Sequence, residues 1–96
     1  MKMVMITYNE AVDSEVMGAL AGCALKSYTK IINIYGSGEA SGTHLGDDIW
    51  PGKNSILYIA CEDKKAKELL SRIKELRKTL GKEGIKAFLL PIEDMT

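Results

Sequence analysis

The side chains able to do chemistry in this chain are few and unevenly spread. The single histidine, His44, stands just before the acid pair Asp47-Asp48. That H-x-x-D-D run joins one imidazole to two carboxylates, ligand types that suit Zn²⁺ or another divalent ion. The same aspartates also serve as turn formers in a polar loop. Lys86 follows Gly84 at the start of an apolar run. An ammonium at a sheet edge beside a glycine turn is a good anion anchor, and its plainer role is a solvated strand lysine. Thr79, just before that turn, offers a hydroxyl to the same anion or back-bonds to its own helix. Gly36, Gly38 and Gly42 give a loop base the freedom for positive φ and close ligand approach. Apart from His44 no side chain has an unperturbed pKa near neutrality, and one histidine supports no Ser-His-Asp or Cys-His pattern, so no catalysis is expected.

Those residues must be positioned by a small scaffold. Ninety-six residues with 46% hydrophobic and 27% charged side chains read as a single folded domain, 1–96, with one modest core. No stretch approaches the length of a membrane span, and the start is too short for a secretory signal. Cys23 and Cys61 lack C-x-x-C spacing and sit in apolar surroundings, which fits reduced core thiols of a cytoplasmic protein. The zero net charge hides an asymmetry. Residues 1–50 hold three basic and six acidic side chains, while residues 51–96 hold ten and seven. The basic excess sits between Lys64 and Lys78, where a solvated helix face is the simplest account. Zero net charge and the lack of paired strand aromatics argue against nucleic acid.

Met3–Tyr8 is apolar and suits a buried strand. Asp13 then offers an N-cap, and Val16, Met17, Leu20, Cys23 and Ala24 recur at helical spacing in a helix ending near Leu25. Tyr28–Tyr35 reads as a second strand, Ser55–Cys61 as a third and Ile85–Ile92 as a fourth, with Pro91 demanding an edge or strand-end position. Between the last two, Ala66, Leu69, Leu70, Ile73, Leu76 and Leu80 define the strongest helix. Gly36–Asn54, with five glycines and Trp50-Pro51-Gly52, is a long loop and the prime site candidate. Trp50 is an anchor for a partner protein or a pin holding the loop to its own assembly.

The order β-α-β-β-α-β is the α+β, ferredoxin-like plan: a four-stranded antiparallel sheet with two helices on one face. The other face is left bare. If Ile31 or Ile34, Met3 or Met5 and Tyr58 point there, identical subunits are the simplest cover. The fold hosts many functions, and the residues remove several. There is no aromatic run for stacking RNA bases, no arginine in Tyr8-Asn9-Glu10-Ala11 for an acylphosphatase-like site, and no C-x-x-C there for a heavy-metal carrier.

Three stretches carry a resemblance. Met1-Lys2-x-Val4 with Glu15-Val16-x-x-Ala19-Leu20, the glycine spacing of Gly36-Ser37-Gly38-Glu39-Ala40-Ser41-Gly42, and Lys86-Ala87-Phe88-Leu89-x-Pro91-Ile92-Glu93 are similar to the opening, loop base and final strand of the PII signal-transduction superfamily. That resemblance implies a regulatory homotrimer binding a small anionic ligand, with an adenine nucleotide favoured, in clefts between subunits. Gly36, Gly38, Gly42, Thr79, Gly84 and Lys86 would face the ligand, and the 36–54 loop would order on binding and signal to a partner protein. Ala40 replaces the glutamine that holds 2-oxoglutarate and magnesium in the family, so that contact is not implied. The alternative is similar to the CutA-type trimers, with a divalent metal held through His44, Asp47 or Asp48.

Overall fold

A computed structural model describes residues 1–36, 53–80 and 84–96. Lys2–Asn9 forms β1, Glu10–Val12 a single 3-10 turn, Asp13–Gly22 α1, Thr29–Ile34 β2, Asn54–Cys61 β3, Asp63–Leu80 α2 and Ile85–Pro91 β4. The strands lie in the order β2-β3-β1-β4, and every neighbouring pair is antiparallel. This is the expected βαββαβ sheet. β4 is an edge strand and Pro91 is its last residue, so its missing N–H costs the sheet nothing central. No helix among the described residues is long and apolar enough to cross a membrane.

Side-chain alternation divides the sheet into two unlike faces. Val4, Ile6 and Tyr8 of β1, Leu57, Ile59 and Cys61 of β3 and Ile85 of β4 share one buried core with Val16, Ala19, Leu20 and Cys23 and with Ala66, Leu69 and Ile73 of α2. Both helices therefore cover the same face. The opposite alternation set brings Met3 and Met5 beside Tyr58, Ala60, Phe88 and Leu90, with Ile31 beside Ile56. Ile31, Phe88 and Leu90 are each at least 40% exposed. The bare apolar face anticipated from the pattern is present. Ile34 joins it because β2 carries one extra residue between Ile31 and Ile34, with Asn33 at φ 56°.

Two helix ends differ from expectation. Asp13 is the first residue of α1 rather than its cap, and Val12 stands at the cap position with no side-chain bond. The cap chemistry lies one turn earlier, where Asn9 Oδ1 accepts from Ala11 N at 2.9 Å. Asp13 is otherwise engaged, by Tyr8 and Lys30. At the far end α1 stops at Gly22 and not near Leu25. The N–H groups of Ala24 and Leu25 donate back to Ala21 and Leu20 at 3.0 Å each, a Schellman closure. Ala24 occupies its left-handed position at φ 57°, so it turns the chain and does not lie on the apolar stripe. Lys65 Nζ of α2 donates to the carbonyl of Cys23, placing a cation at the negative end of α1. Cys23 and Cys61 are free and buried, and burial pushes both thiols up from their ordinary pKa.

Candidate functional site

The topology gathers one end of the sheet into a candidate site. β1 and β2 end there, β3 and β4 begin there, and α2 finishes beside them. The end of β1 is stitched to both flanking turns by its backbone: Asn9 N donates to Gly84 O at 2.9 Å and Glu10 N to Lys53 O at 2.8 Å. Asn9 is a buried polar residue at a strand end, and these bonds together with its Ala11 contact account for its burial.

Of the site residues expected from sequence, Gly38, Gly42, His44, Asp47 and Asp48 lie outside the described residues, as do Ala40 and Trp50. Gly36 follows β2 and is exposed. A Cβ at Gly36 or at Gly84 would meet nothing within 4 Å, and neither residue takes a left-handed φ. Positive φ is therefore not the reason for glycine at these two positions. Open space remains at both, which leaves room for something outside this chain to approach the backbone. Thr79 donates its hydroxyl to Leu76 O at 3.1 Å, the back-bond to its own helix. Lys86 is exposed on β4 opposite Thr7, on the bare face rather than the helix-covered one. Among the described residues no group of three or more His, Cys, Asp or Glu side chains is arranged to hold a metal.

A second arrangement, on the helix-covered side, joins residues that the sequence pattern does not single out as a site. A groove of about 530 Å³ runs between the 3-10 turn, β2 and the start of β3. One wall holds Asn9, Glu10 and Asp13, and the other Lys30, Ile32, Lys53 and Ser55. Asp13 Oδ1 accepts from Tyr8 Oη at 2.5 Å and from Lys30 Nζ at 2.9 Å. Burial pushes the Tyr8 phenol far above its ordinary pKa, and the Asp13 carboxylate accepting its proton reinforces the shift. The same hydrogen bond from Tyr8, aided by Lys30, holds the Asp13 carboxyl below the usual carboxylate range against a smaller desolvation effect. Lys30 also lies 5.8 Å from the centre of the Tyr28 ring. The sequence did carry a signal for this cluster: Lys30 is the one charged residue in the strand Tyr28–Tyr35.

The family model described as nitrogen regulatory protein P-II matches residues 1–96. The chain belongs to the P-II family. A comparison with curated proteins returns no match. Among solved structures, the CPII protein of Thiomonas intermedia K12, a nitrogen regulatory PII-like protein bound to ADP, AMP and bicarbonate, is similar at 19% identity and a TM-score of 0.70, covering 92% of this chain and 81% of that one. CPII bound to ADP, AMP and acetate is similar at 15% identity and a TM-score of 0.71, with 99% and 88% covered. A PII-like signaling protein of Thermus thermophilus reaches 0.65 at 19% identity, with 92% and 81% covered. The bare-faced βαββαβ sheet of this P-II chain is thus the fold of PII-like signalling proteins. On it, Lys86 and the groove of Asp13 and Lys30 stand on opposite faces.

Proposed function

We propose that residues 1–96 form one PII-like unit that assembles as a homotrimer and binds a small anionic ligand, an adenine nucleotide, in clefts between subunits. The observation that carries this reading is the position of Lys86. It presents an ammonium on the uncovered apolar face at the end from which residues 37–52 extend. A second copy covering that face would turn an open lysine into one wall of a cleft, where water is excluded and a phosphate–ammonium contact strengthens. Gly36 and Gly84 flank that end with open space over their backbone. Gly38 and Gly42 extend the same loop base, and Thr79 contributes once its hydroxyl leaves Leu76. The choice of nucleotide draws support from the ADP and AMP of the Thiomonas CPII structure.

The role is regulatory and not catalytic: the 36–54 loop, ordering around bound ligand, presents or hides a surface for a partner protein. Heat stability tests the ligand. A nucleotide at one hundred times its Kd adds about 2.7 kcal/mol, enough to raise the Tm of a domain this size by about 10 °C or more. ADP, ATP or AMP at millimolar concentration should do this for the wild type, and Lys86→Ala should lose most of the rise. No rise with any of the three would overturn the nucleotide reading.

A further inference from the structure

We propose that the groove between the 3-10 turn, β2 and β3 is a binding site for a small zwitterion of the α-amino acid class. Its charges are arranged for such a guest. Lys30 and Asp13 neutralise each other at 2.9 Å, and Tyr8 fixes the carboxylate from behind, so this pair is a settled part of the wall. Glu10 and Lys53 are exposed and lie on the rim. Neither forms an ion pair with another described residue, yet the 2.8 Å bond from Glu10 N to Lys53 O holds their backbones together. The rim therefore presents one negative and one positive charge on backbones joined at the end of the sheet. A purely anionic guest meets Glu10, and a purely cationic guest meets Lys53. A guest carrying both charges satisfies Lys53 with its carboxylate and Glu10 with its ammonium.

The rest of the groove suits the same class. Its volume of about 530 Å³ lies within the usual range for small-molecule sites. Ile32 is 60% exposed beside it and gives an aliphatic side chain something to pack on. Alternation from Lys30 puts Ile32 on this side, and the extra residue between Ile31 and Ile34 sends Ile34 to the other face with Ile31. The groove lies on the helix-covered side near β2, whereas Lys86 lies on the bare face of β4 at the opposite edge. The two sites lie on different faces but share the loop base at Lys53, so each ligand is titrated in the absence of the other.

The test is a titration of the full ¹⁵N-labelled chain followed by amide chemical shifts. The probes are L-valine, isovalerate, which lacks the ammonium, and isobutylamine, which lacks the carboxylate. L-valine should shift the amides of Glu10, Ala11 and Lys53 saturably, with isovalerate and isobutylamine each binding at least about tenfold more weakly. Glu10→Gln should weaken L-valine and strengthen isovalerate, and Lys53→Met should weaken L-valine and strengthen isobutylamine. That crossed change in selectivity is not what a folding defect produces. No saturable shift up to about 50 mM, or L-valine binding no better than isovalerate, would overturn the proposal. ADP in a parallel titration should move Gly84 and Lys86 instead, so failure at either site is read separately.

Discussion

The two faces of the same four strands have opposite fates. On one, Val4, Ile6, Leu57 and Ile59 are fully buried beneath α1 and α2 in one continuous core, with Ile32 at the β2 edge left outside it. On the other, Met5, Tyr58 and Phe88 form a cross-strand row with neither helix above it. The helix-covered face is a finished core, whereas the bare face is half of one. Stability should therefore be controlled from the first face and assembly from the second, and substitutions can pull these properties apart.

The largest effect should follow from Leu57→Ala, which opens a cavity in the finished core and costs about 3 kcal/mol, measured by urea unfolding. Phe88→Glu, on the bare face, should leave the fold of each chain intact but abolish assembly, seen as a single-chain species in sedimentation. Equal loss of fold from both substitutions would break the comparison. A smaller effect belongs to the Tyr8–Asp13–Lys30 cluster. The Asp13 carboxyl is held below its unfolded value, so its contribution is present above about pH 4 and disappears as the pH falls through the lower folded-state pKa. Asp13→Asn should flatten that acid limb of the stability curve. The Tyr8 phenol is raised, so its contribution is present below about pH 10 and is lost as the pH climbs through the higher folded-state value. Tyr8→Phe should cost about 1 kcal/mol near neutrality and remove that alkaline limb. The smallest change is a gain. Ala24→Gly relieves the left-handed strain at φ 57° and should stabilise the protein by up to about 1 kcal/mol. Throughout, Cys23 and Cys61 should react with a thiol reagent only on unfolding, because both are buried with raised pKa values.

Period-two alternation and the 3.6-residue stripe of α2 made the strands, the second helix and the bare face legible from sequence. The α1 boundaries were not, because they turn on competition among polar groups. Asp13 has the side chain of a cap, but a tyrosine five residues earlier and a lysine seventeen residues later claim it first. Such long-range demand leaves no local pattern. Ala24 reads as a stripe residue by spacing, yet the Schellman bonds place it beyond the helix. For the site, the glycine turn and Lys86 could be picked out because glycine and a lysine in an apolar run are conspicuous. The groove could not be, since Asn9, Glu10, Lys30 and Lys53 meet only when β1, β2 and β3 pair. Neither could Lys86's face be known before its register with Thr7.

If the bare face is the assembly face and Lys86 lines its clefts, assembly and ligand binding stand or fall together. Native mass spectrometry of the purified protein with ADP tests both at once. Three chains carrying ADP, with Phe88→Glu reduced to single chains that retain none, is the predicted result. Wild-type protein that remains a single chain and takes up no ADP would contradict the account.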